Sequence, residues 1–172
     1  MFRWWDGMWL ALALSLAAAP TRASEASLEA AFVYNFIKFI DWPTATTHQR
    51  VHLCVTGADA KMRDAFDLLQ GKPAQQRIID VEYLTPATLA ARLPTCHMVF
   101  QPSVENLPLP HPLPLGVVLV AHNPSPNDPA ISIALRRTSQ GRLEFSISLK
   151  ATSDAGVIVS SQLLKLAVNN RE

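Results

Sequence analysis

Two cysteines, five histidines and a scatter of carboxylates are the groups in this chain with the most chemistry to offer. His48, His52, His97, His111 and His122 fall in different segments, except that His48 and His52 straddle the expected start of a strand and so cannot share a helix face. No carboxylate stands at ligand spacing from any of them, so no metal site is expected. Glu29, Asp41, Asp80, Glu82 and Glu144 are too scattered for a paired acid and base, and default to solvation or local pairing. A hydrolase would need a nucleophile elbow, and no G-x-S-x-G occurs; Ser160-Ser161 reads as a helix cap. Six glycines and no phosphate-loop pattern leave nucleotide binding without its usual loops. The expectation is a protein that is not an enzyme and carries no cofactor.

Charge and length narrow the class further. Fifteen Lys plus Arg against fourteen Asp plus Glu give a net charge of +1, which supplies no basic excess for a nucleic-acid backbone. The 172 residues, 49% hydrophobic and 17% charged, suffice for one globular domain and are few for two. Residues 1–23 read as a secretory signal peptide. Arg3 precedes an apolar run from Met8 to Ala19 that is short for a bilayer span, and Thr21-x-Ala23 offers a cleavage site before Ser24. The competing reading is a short N-terminal anchor with Trp4, Trp5 and Trp9 at the interface. An exported domain of residues 24–172 would meet an oxidising compartment, where Cys54 and Cys96 are a natural disulfide pair; two buried free thiols in neighbouring strands are the alternative. A catalytic role is disfavoured, since no CxxC exists.

The elements that must position these groups follow from periodicity. Ser24 to Ile40 places Leu28, Phe32, Phe36, Phe39 and Ile40 at helical spacing and ends at Trp42-Pro43. Strands are expected at Val51–Thr56, Arg77–Tyr83, Cys96–Phe100 and Leu115–Ala121, with helices at Ala58–Leu69, capped by Gly71, and at Pro86–Leu93. This alternation predicts a parallel sheet covered by helices. The proline-rich stretch from Gln101 to Pro114 must be an irregular connection. Ile131–Arg137 and Arg142–Leu149 flank Ser139-Gln140-Gly141 as a hairpin, so the sheet becomes mixed. A final helix, capped by Ser160 or Ser161, should bury Leu163, Leu164, Leu166 and Ala167. The predicted fold is α/β: a three-layer, Rossmann-like mixed sheet with parallel strands, a C-terminal hairpin and helices on both faces.

The helix and its exit, Ala31-Phe-Val-Tyr-Asn-Phe-Ile-Lys-Phe-Ile-Asp-Trp-Pro43, resemble the opening motif of the YfiR family. Leu53-Cys-Val-Thr-Gly57, Cys96-His-Met-Val-Phe100, Gly141-Arg-Leu-Glu-Phe-Ser-Ile147 and Ser160-Ser-Gln-Leu-Leu-Lys-Leu-Ala167 follow in the family's order, so the resemblance covers nearly all of Leu28 to Ala167. Two departures are Ser148, where the family pattern has Asn, and the absence of a second cysteine pair. The resemblance implies a small periplasmic regulator that represses an inner-membrane signalling protein, foremost a diguanylate cyclase, by docking on its periplasmic domain. A sensor kinase is the other partner, and a homodimer is possible. A periplasmic small-ligand carrier or sensor is the alternative function.

On that reading Tyr34, Asn35, Lys38 and Trp42 are candidate partner-binding residues, because a helix mixing polar and aromatic groups cannot bury every side. Trp42 has an equally good reading as a plug for the helix exit. Arg136, Arg137 and Arg142 flank the hairpin turn as candidates for an anionic ligand, against the plainer reading of a solvated turn.

Overall fold

The structure is a computed structural model and describes residues 24–43, 49–102, 109–110, 112–125, 128–168 and 170–171. The chain opens with helix α1, Glu25–Phe39, which starts where the Ser24 hydroxyl accepts from the Ser27 N–H at 3.1 Å. Then come β1 (Ile40–Asp41), β2 (Arg50–Thr56), α2 (Ala60–Asp67), β3 (Pro73–Ala74), β4 (Arg77–Leu84) and α3 (Pro86–Arg92). They are followed by β5 (Met98–Gln101), β6 (Val118–His122), β7 (Ile133–Arg137), β8 (Leu143–Ser148), α4 (Leu149–Asp154), β9 (Ile158–Val159), α5 (Ser161–Leu166) and β10 (Asn170–Arg171).

Among the described residues one sheet of eight strands runs in the order β10-β8-β7-β6-β5-β2-β4-β3. Strands β4, β2, β5, β6 and β7 are parallel, whereas β8 returns antiparallel to β7 as the expected hairpin. β1 and β9 form a separate antiparallel pair. The period-2 rule divides the core between two layers. Leu53, Val55, Met98, Phe100, Val118 and Val120 join α1 and α2 on one face, while Cys54, Val99, Leu119 and Ala121 join Leu89 and Leu93 on the other. Strands covered on both faces must be apolar throughout, and every residue of β5 and β6 is buried. The hairpin strand β8 instead alternates buried and half-buried residues. The expected three-layer α/β architecture is therefore present.

Cys54 on β2 and Cys96 ahead of the neighbouring β5 are joined in a disulfide, with Cα atoms 5.9 Å apart, in the layer beneath α3. The free-thiol reading is excluded. Four expectations need correcting. The third and fourth parallel strands begin later than expected, at Met98 and Val118, the latter because Leu115 and Gly116 form an exposed turn. Helix α2 stops at Asp67, with Leu68 at its C-cap; Gly71, at φ +75°, donates to the Ile79 carbonyl and turns the chain toward β3 instead of capping the helix. Leu166 is 69% exposed, because the short α5 turns only Leu163 fully inward, with Leu164 and Ala167 packing partly. Helix α4 and the strand pair β1–β9 had no sequence expectation. The segment read as a signal peptide lies outside the described residues, and no described helix is long and apolar enough to cross a membrane.

Candidate functional site

Ligand sites in open parallel sheets gather at the carboxyl ends of the strands. At that end β6 finishes in His122, and the first two turns of α1 lie against it. Glu25 and Glu29 are four residues apart and so project from the same side of α1. Glu29 faces the sheet beside Ala26, Ala30 and Val33 and is 1% exposed; His122 is 6% exposed. Burying two ionisable groups is costly unless each partners the other. Here His122 Nδ1 donates to Glu29 Oε1 at 2.6 Å. The other nitrogen, Nε2, stands 3.9 Å from Glu25 Oε1 and makes no hydrogen bond, nor does Glu29 Oε2. Arg137 Nε donates to the same Glu25 oxygen at 2.9 Å, and its Nη1 donates to the Gly141 carbonyl at 3.0 Å, tying the helix start to the hairpin. One oxygen from each glutamate and one ring nitrogen of His122 lie within 4.8 Å of one another.

Sequence reasoning missed this cluster. It weighed each histidine against carboxylates near it in the chain, whereas Glu29 reaches His122 only through the stacking of α1 on β6. The available signal was Glu25-x-x-x-Glu29 on one helical face and a histidine ending the apolar run Val118–His122.

The other candidates lie apart from it. Arg136 stands opposite Glu144 in the hairpin register, and Arg142 Nη2 is 3.8 Å from Glu144 Oε1. Arg137, as the next residue along the strand, projects to the opposite face and meets Glu25. The three arginines thus occupy both faces of the hairpin, so they form no single anion cradle. Trp42 is 1% exposed, its Nε1 donates to the Gly116 carbonyl at 3.0 Å, and its ring meets His97 edge-on. It plugs the helix exit and offers no surface to a partner. Tyr34 is half-buried, its hydroxyl donating to the Pro73 carbonyl at 2.9 Å and its ring lying beneath the ammonium groups of Lys38 and Lys72. Asn35 and Lys38 are exposed and, with Ala31, mark a strip at positions i, i+4 and i+7 of α1.

The family model described as YfiR/HmsC-like matches residues 26–168. The chain belongs to the YfiR/HmsC-like family. No curated protein matches it. The matched span takes in Glu29, His122, both cysteines and the whole α1 strip, and begins one residue after Glu25.

In this YfiR/HmsC-like domain Glu82, Arg92 and Tyr83 are shifted by structural contacts. Arg92 grips Glu82 with two bonds of 2.7 Å, which hold the carboxyl below its usual range and raise the guanidinium. Burial, followed by the bond to Asp67, pushes the Tyr83 hydroxyl up. An apolar groove of about 460 Å³ runs between α3 and the proline-rich connection, lined by Leu89, Leu93, Pro94, Leu109, Pro110 and Pro114.

Proposed function

We propose that this YfiR/HmsC-like protein is a periplasmic regulatory binding protein, released from its signal peptide as residues 24–172. It represses an inner-membrane signalling protein, foremost a diguanylate cyclase, by docking on that protein's periplasmic domain. The observation that carries the reading is the family match, which spans the domain from α1 to α5. Two features support it. The buried Cys54–Cys96 disulfide suits an oxidising compartment. The Ala31, Asn35 and Lys38 strip, with Tyr34 at its edge, leaves one side of α1 open to a partner, whether the cyclase, a sensor kinase or a second copy. The groove beneath α3 favours a second reading, a small-ligand carrier or sensor, because its lining is apolar and concave.

The test is intracellular cyclic di-GMP in a deletion strain that expresses the candidate cyclase, paired with pull-down of the protein from membranes. A rise in cyclic di-GMP on deletion, with the cyclase recovered on the protein, is the expected result. An unchanged level transfers the case to a sensor kinase or to ligand carriage.

A further inference from the structure

We propose that the groove between α3 and the proline-rich connection binds the hydrocarbon chain of a free single-chain amphiphile, such as a fatty acid, and leaves its head group in water. The inference rests on the second, ligand-carrying reading and names its ligand class; the regulatory reading does not depend on it. The groove's volume of about 460 Å³ falls within the roughly 300–1,000 Å³ usual for small-molecule sites. Of the described residues that line it, Pro86, Leu89, Ala90, Leu93 and Pro94 form the wall on the α3 side, and Leu109, Pro110 and Pro114 form the other. None of these side chains can donate or accept a hydrogen bond, and four of the eight are prolines, which lack a backbone N–H as well. The Leu89 and Leu93 amides are committed to the Thr85 and Leu89 carbonyls. A polar ligand would lose its hydration here and get nothing back.

The class of apolar ligand follows from the character of the lining and from how it is held. Among the described residues no aromatic ring lines the groove, so a flat ring system would find no stacking partner, whereas leucine and proline pack on a flexible chain. No charged side chain lines it either, and the cation on the same helix, Arg92, is engaged by two bonds of 2.7 Å to Glu82. A carboxylate therefore has no counter-ion inside the groove and stays at its open side. The groove is also preformed. The Thr85–Thr88 capping box fixes the start of α3, Arg92 ties the helix to Glu82 of β4, and the Cys54–Cys96 disulfide anchors the chain just past Pro94. Leu89 and Leu93, 7% and 1% exposed, belong to the core beneath, and the fixed φ of proline stiffens both walls. These ties keep α3 from closing on the connection, so a chain laid between them covers apolar surface with little ordering of the protein.

The test uses protein purified from cells that express the full chain, stripped of lipid on a hydrophobic resin and titrated with octanoate and laurate below their micelle concentrations, by calorimetry and thermal melting. The expected result is one laurate per protein chain, a melting temperature that rises with laurate, and affinity that grows roughly two- to fourfold for each added methylene. Ala90→Trp fills the groove from an exposed position on α3, so it should keep the parent melt and weaken laurate binding by about tenfold or more. Leu109→Gln, on the opposite wall, should weaken it likewise and decides alone if Ala90→Trp does not fold. Binding undiminished in both variants overturns the proposal and assigns the chain elsewhere, such as the hollow lined by Leu113, Val117, Ala130 and Ala155. Affinity that ignores chain length overturns it too, as does binding only to chains packed in phosphatidylcholine vesicles. Saturable binding of naphthol without laurate overturns the aliphatic assignment and leaves the carrier reading standing; binding of neither overturns both readings of the groove.

Discussion

Trp42 illustrates how a single residue acquires its role from a distant one. Its indole closes the space where α1 leaves the sheet, and the Nε1 bond to Gly116 satisfies the one polar atom it buries. Truncation leaves both a cavity and an unpaired carbonyl, so Trp42→Ala should lower stability by about 3–5 kcal/mol, measured by urea unfolding. Asn35→Ala and Lys38→Ala, on the exposed strip, should stay within about 0.5 kcal/mol of the parent. The sequence left Trp42 open between plug and anchor because Gly116 lies across the proline-rich connection, beyond any local pattern. Glu82 carries a pH prediction. Its folded pKa is depressed, chiefly by the Arg92 hydrogen bond, so the stabilisation is complete above the unfolded value of about 4.3 and is lost as pH falls through that value toward the folded one. Glu82→Gln should therefore lower stability at neutral pH and flatten the acid limb of the stability profile. An acid limb identical to the parent's would place the sensitivity elsewhere.

At the level of elements, the disulfide ties β2 to the lead-in of β5, neighbours in the parallel sheet, across a sequence separation of 42. Closing a loop of that length restricts the unfolded chain by roughly 4 kcal/mol. Cys54→Ala with Cys96→Ala should lower the melting temperature by about 10 °C in calorimetry, with the secondary structure kept, because the flanking strands are paired and buried without it. Which elements the sequence revealed depends on their burial. The parallel strands and α1 were legible because burial on two faces, or along one helical stripe, forces long apolar patterns. Helix α4 was not. Its six residues, Leu149–Asp154, bury only Thr152, and its start is set by Ser148, whose hydroxyl accepts from the Ala151 N–H; the alternating β8 pattern ran straight into it as apparent strand. The same weakness explains Leu166, which the periodic pattern groups with Leu163 but which stays exposed on a helix too short to cover the sheet.

On the scale of the whole molecule, α1 has two sides with different work. Its inner side carries Phe36 onto Phe145, with ring centroids 5.0 Å apart, and Glu29 onto His122, a pairing no sequence window contains because β6 enters only after five other strands. Its outer strip exposes Ala31, Asn35 and Lys38, with the Lys38 ammonium over the Tyr34 ring, and has neither a large apolar patch nor a dominant charge, so any partner held there must be recognised by shape with a few polar contacts. Such an interface is sensitive to bulk at its centre and tolerant of truncation at its rim. On the proposed regulatory reading, Asn35→Arg should relieve repression and raise cyclic di-GMP toward the deletion level, while Asn35→Ala has a smaller effect. Lys38→Glu should act mainly through association rate and salt dependence. Both substitutions lie on a solvated helix face, so the melting curve should not move, and that separates a lost interface from a damaged fold. Cyclic di-GMP that stays repressed in a folded Asn35→Arg variant would remove α1 from the interface and direct attention to the groove beneath α3.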